Sequence, residues 1–158
     1  MLYTFKLPRR ALVMGAMLAT VTLATACGDD DPTGVDEEPE IDRVLLTIGA
    51  TTLTVPLNGA ITGGPVSIAA NSATPVTARF VRQDGTDDPI VTSEADFQLR
   101  VVRVSGPALT FALSTANRFA GTITATGSGT AIVDPQLFHV GENHDDFSRP
   151  GVSITVTP

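Results

Sequence analysis

From Ile41 to Pro158 the chain repeats one pattern: short runs of alternating apolar and polar residues, separated by Gly, Pro, Asn or Asp. Val44, Leu46 and Ile48 alternate before Gly49, and Leu53, Val55 and Leu57 alternate before Asn58-Gly59. Val66 and Ile68 follow Gly63-Gly64-Pro65, and Val76, Ala78 and Phe80 lead to Asp84-Gly85. Three further runs are Phe97, Leu99, Val101; Leu109, Phe111, Leu113; and Phe119, Gly121, Ile123, Ala125. Ala131–Val133 and Leu137–Val140 flank Pro135, and Val152, Ile154 and Val156 close the series. A period of two puts every second side chain on the same face of a strand, while Asn-Gly and Asp-Gly favour hairpin turns. After Ile41 no stretch holds apolar residues at helical spacing over three turns. The pattern therefore predicts an all-β domain over residues 41–158, an antiparallel β-sandwich of about 7–9 strands. Pro135 has no N–H for a ladder and predicts an edge or a bulge. A single domain of this length buries about two-thirds of its unfolded surface, so its core needs no disulfide.

The pattern stops abruptly upstream. Residues 28–40, GDDDPTGVDEEPE, carry acids, two Pro, two Gly and one aliphatic residue, Val35. Such a segment cannot bury enough apolar surface to offset its ordering entropy, and its like charges extend it. Residues 27–40 are read as a flexible acidic tether. Before it, Lys6, Arg9 and Arg10 precede the uncharged run Ala11–Ala26. That run is shorter than the about 20 predominantly apolar residues of a spanning helix, so residues 1–26 are read as a cleavable export signal. Ala24 and Ala26 also make an A-x-A site that suits plain secretion.

Cys27, the single cysteine of the chain, follows directly. Leu23-Ala24-Thr25-Ala26-Cys27 resembles the lipobox of bacterial lipoproteins, with Leu23 one place further from the cysteine than usual. The resemblance implies a signal peptide ending at Ala26 and lipidation of Cys27. It also implies attachment to a membrane through that lipid. Gly28 stands where an Asp would retain an enteric lipoprotein in the inner membrane, so the resemblance places the protein in the cell envelope, at the outer membrane and facing periplasm or surface. One acyl chain holds weakly, and two or more hold firmly.

Charge narrows the function. The chain carries Lys+Arg 10 against Asp+Glu 17, and its only lysine, Lys6, lies in the export signal. No basic stripe remains for phosphate contacts, so a nucleic-acid partner is not expected. With one cysteine there is neither a disulfide framework nor a multi-cysteine metal site. Trp is absent and Tyr3, the one tyrosine, lies in the export signal, so the aromatic platforms that bind sugars are missing. There is no G-x-S-x-G, and Ser128 between two glycines reads as a turn. The domain is read as non-catalytic.

The segments VSIAANSATPVTARFVRQDGT (66–86), FAGTITATGSGTAIV (119–133) and VSITVTP at the end resemble bacterial immunoglobulin-like domains of surface and envelope proteins. That resemblance implies an immunoglobulin-like β-sandwich used as a binding or structural module, with an envelope protein or surface polymer as partner. It implies no catalytic residues. The first strand pair (41–57) and the stretch from Asp134 to Gly151 depart from a minimal domain of that kind.

One segment concentrates reactive side chains: FHVGENHDDFSRPG, residues 138–151, with His139, Glu142, His144, Asp145, Asp146 and Arg149. Imidazole plus carboxylate suits a transition metal, and two His with one or two carboxylates fill a four-coordinate site. The candidate ligands are His139, Glu142, His144 and Asp146, with His139 ending a strand and the others on the loop beyond. The H-x4-H spacing is not a recognised metal motif. The competing reading is a capped loop in which His144 and the acids meet Arg149, anchored by Phe138 and Phe147. An envelope metal-binding or metal-delivery protein is the alternative function this segment supports. A second acidic turn, Asp84 to Pro89, lacks the ligand order of a calcium loop and reads as solvated hairpin chemistry. Arg79, Arg82, Arg100 and Arg103 are expected to face water opposite acids such as Asp96.

Overall fold

The computed structural model describes residues 38–158. The export signal, Cys27 and most of the acidic tether lie outside the described residues.

Ten strands and one short helix follow in order: β1 (Arg43–Ile48), β2 (Thr51–Pro56), β3 (Val66–Ala69), β4 (Ala73–Val81), α1 (Pro89–Ser93), β5 (Phe97–Ser105), β6 (Ala108–Leu113), β7 (Ala120–Thr126), β8 (Gly129–His139), β9 (His144–Ser148) and β10 (Val152–Thr157). One sheet has the order β2-β1-β4-β7-β6, the other β3-β10-β8-β5, with β9 also paired to β8. The two sheets pack as an all-β sandwich. All ladders are antiparallel except β3 with β10, which is parallel, so the second sheet is mixed.

The core is built from the alternating positions. On β1, Val44, Leu46 and Ile48 are buried, and on β10 so are Val152, Ile154 and Val156. Phe80 of β4 and Phe147 of β9 meet edge-to-face at 6.0 Å and join the two sheets. Leu57, Leu113 and Val140, which continue the alternation on paper, are exposed, because the strands end at or before them.

Four expectations are corrected. The strand number is ten, because the polar segment His144–Ser148 is a strand and not loop. Pro135 lies inside the eleven-residue strand β8 and not at an edge. Val133 O accepts from Gly151 N–H, so Pro135, two residues on, turns its nitrogen to the same side. There the ladder is already interrupted, between the Val133–Val152 and Gln136–Ser148 pairs, and no hydrogen bond is lost. The turn around Asp88 is not merely solvated. Asp88 is 1% exposed, and its Oδ1 accepts from Ile90 and Val91 N–H at the start of α1, while Oδ2 accepts from Glu40 N–H. Finally, the arginines stand at the surface opposite acids as expected, but the acids are not Asp96: Arg79 pairs with Asp87, Arg82 with Glu40, and Arg100 with Asp145.

Gly106 makes the tight corner from β5 to β6. Its φ is +89°, and a Cβ there would collide with the Thr130 carbonyl and the Ala131 backbone, so only glycine fits. No helix among the described residues is long and apolar enough to cross a membrane.

Candidate metal centre

The hairpin of β8 and β9 carries the site. His139, at the end of β8, stands directly opposite His144, at the start of β9. The turn between them is closed by Asn143, whose φ of 57° suits asparagine and whose N–H donates to His139 O at 2.9 Å. Further along, Leu137 opposes Phe147 but Phe138 opposes Asp145, which leaves Asp146 as an extra, unpaired residue. This bulge is the local device that builds the site. In a regular strand Asp146 and Phe147 would point to opposite faces; the inserted residue turns both inward. Phe147 is 1% exposed, and the Asp146 side chain is 12% exposed.

On the other face, Arg100 clamps the hairpin. Its Nε donates to Gln136 Oε1 at 2.6 Å and its Nη2 to Asp145 Oδ1 at 2.7 Å. Its guanidinium lies 4.1 Å over the Phe138 ring. Asp134 completes the support, accepting from Gln136, Ser148 Oγ and Arg149 N–H. Arg149 itself reaches Gly59 O at 3.0 Å. The expected contact between Arg149 and the acids around His144 is therefore replaced by Arg100 with Asp145.

The inner face holds the chemistry. The His139 ring packs against Phe97 at 4.4 Å and meets His144 edge-on at 5.5 Å. His139 Nδ1 lies 3.9 Å from Glu142 Oε2, and His144 Nδ1 lies 3.3 Å from the same oxygen. Donor atoms of His139, Glu142 and His144 all fall within 4.8 Å of one another. Four donors about 2.1 Å from a tetrahedral ion sit about 3.4 Å apart, so small side-chain movements suffice to close this triangle around an ion. Asp146 does not join the triangle. It stands behind it, with Oδ1 bonded to His144 Nε2 at 2.8 Å. A carboxylate on one ring nitrogen directs the other toward a metal, the usual outer-sphere arrangement. Asp146 Oδ2 is buried, has no hydrogen-bond partner, and lies 3.7 Å from His139 Nδ1.

The His144 pKa is raised above the ordinary imidazole value, first by the hydrogen bond to Asp146; burial opposes this, and the charges of Asp146, Glu142 and Glu38 add smaller upward effects. The pocket thus favours positive charge. It has a volume of about 400 Å³, and its wall also includes Glu38, Pro39, Glu94, Asp96 and Phe97.

No family model, no curated protein and no solved structure matches the chain.

The sequence pattern pointed to the four residues but not to their division of labour. It also missed Phe97 and Glu38, which are brought to the site from far along the chain. Nothing in their local sequence signals this.

Proposed function

We propose that the chain is an exported, non-catalytic protein, anchored in the cell envelope through lipid on Cys27, whose β-sandwich binds a divalent transition-metal ion. The ligands are His139, Glu142 and His144, with Asp146 orienting His144. One observation carries the metal reading: two imidazoles and a carboxylate converge in a pocket whose rear wall holds a buried carboxylate oxygen without a proton donor. An unmet buried acceptor is costly, and a nearby cation offsets that cost. The donor set suits zinc, copper or nickel better than calcium or magnesium, which prefer all-oxygen sites. The anchor rests on the lipobox resemblance.

The test is calorimetric titration of the full chain, in detergent, with Zn²⁺, Cu²⁺ and Ni²⁺. Uptake of one ion, in the micromolar range or tighter, is expected. His139→Ala and His144→Ala should each weaken it by at least about tenfold, with an unchanged far-UV spectrum. Equal binding by the double variant would remove the reading.

A second reading has its own observation. Val102 and Val104, two residues apart on the edge strand β5, are 39% and 53% exposed, with Val104 at a break in the ladder to β8. An exposed apolar pair on an edge strand suits an immunoglobulin-like module that docks an envelope protein or surface polymer. Pull-down from membranes with wild type and with Val104→Asp distinguishes it, since only the wild type should then retain the partner.

A further inference from the structure

The triangle of His139, Glu142 and His144 leaves one position of a four-coordinate ion open, and the pocket wall offers three further acids for it: Glu38, Glu94 and Asp96. Their placement separates them. Glu38 is the one of the three that stands ahead of the first strand, outside any ladder or helix cap, with its side chain exposed in the pocket wall. Asp96 stands behind His139: its backbone O accepts from Val140 N–H at 2.8 Å, and its carboxylate and His139 Nε2 lie against the same point beside Gly141, on the side of the ring away from the Nδ1 that faces Glu142. Glu94 forms the C-cap of α1.

Glu38 is also held close by its own chain. Two residues on, Glu40 N–H donates to the buried Asp88 Oδ2 at 3.0 Å, and the Glu40 carboxylate pairs with Arg82. Two residues of extended chain span at most about 7 Å. Glu38 is therefore confined to the rim of the pocket, yet its exposed side chain is free to turn inward. The residue that stands here belongs to the acidic segment joining Cys27 to the domain.

We propose that the bound ion recruits Glu38 as its fourth ligand and so clasps the end of the acidic tether to the β8–β9 hairpin. This inference rests on the metal site described above. Metal occupancy then controls how the domain leaves its anchor. Without the ion, the first fixed point of the chain is Glu40 on Asp88; with it, the chain is fixed two residues earlier, at Glu38. The chemistry is ligand exchange alone: a carboxylate oxygen replaces a water on the metal, and no proton or electron is transferred beyond the loss of any proton on His144.

The experiment uses the full chain in detergent micelles, with Zn²⁺ as probe, and compares wild type with Glu38→Gln. Two quantities are read: the zinc dissociation constant, and backbone amide exchange of residues 38–41 by mass spectrometry. The expected result is about tenfold weaker zinc binding in Glu38→Gln, together with zinc-dependent slowing of exchange in wild type that Glu38→Gln lacks. Glu94→Gln should bind as wild type does. If wild type and Glu38→Gln bind equally and exchange at 38–41 ignores zinc, the clasp is overturned while the metal site stands. If neither binds zinc, the site itself fails and the clasp with it. Binding that survives removal of both histidines would assign the ion to the tether acids and overturn both.

Discussion

Asp88 shows how much one polar side chain can hold when buried. Its two carboxylate oxygens accept from Ile90, Val91 and Glu40 N–H, so one residue caps α1 and fixes the entry of the chain into the domain. Asp88→Ala removes the cap, which costs about 1 kcal/mol. It also leaves the Glu40 N–H without its acceptor, at about 1–3 kcal/mol. The expected loss is about 2–4 kcal/mol, measured by urea unfolding. Asp88→Asn should lose less, because one oxygen remains for the cap while the amide group faces Glu40 N–H donor to donor. If Asp88→Ala and Asp88→Asn are both within about 0.5 kcal/mol of wild type, the residue is only a solvated turn acid after all.

At the scale of elements, the β8–β9 hairpin is both the structural joint and the site. β8 pairs with β5 along its length and with β10 and β9 on its other side, so it organises the second sheet. β9 has one large apolar residue, Phe147, and that ring crosses to Phe80 of the other sheet. Phe147→Ala should therefore cost about 3–5 kcal/mol, since its removal empties a fully buried position between the sheets. Denaturant unfolding measures it. The same variant loosens the bulge that aims Asp146, so zinc affinity should fall even where the protein remains folded at low temperature. A Phe147→Leu variant that keeps most of the volume should recover much of both. Loss of stability with unchanged zinc affinity would show that the bulge is held by Arg100 and Asp134 alone.

For the whole molecule, the proposed lipid anchor hangs on one sulfur atom and is separable from the domain. Cys27→Ala should move the protein from the membrane fraction to the soluble fraction and abolish fatty-acid labelling. It should leave the unfolding midpoint of the domain unchanged, because the core contains no thiol. Fractionation and unfolding of the two proteins check this together. Membrane retention of the processed variant would refute the lipid anchor. The net charge of −7 makes the converse explanation weak, since an acidic chain is repelled by anionic lipid.

The strands that bury a regular alternating face were legible in the residue order: β1, β2, β3, β4, β5, β7 and β10 carry their core residues where the period of two puts them. Alternation is a property of the pleat itself, present before any partner strand arrives. The gathering of both histidines with acids between residues 139 and 146 was legible for the same local reason. Tertiary structure alone decided the rest. β9 was hidden because a bulge breaks its alternation, and a bulge exists only against a partner strand whose register it offsets. Pro135 could lie in a central strand because the neighbouring ladder happens to be interrupted beside its nitrogen, a fact about β9 and β10 rather than about proline. Asp88 became structural because Glu40, far upstream, was laid across it. Glu38 and Phe97 reached the histidine pocket by chain path and strand pairing. Local order sets which face a side chain takes along its own strand; which groups then share a pocket depends on register and on the packing of distant segments, which no short stretch of sequence contains.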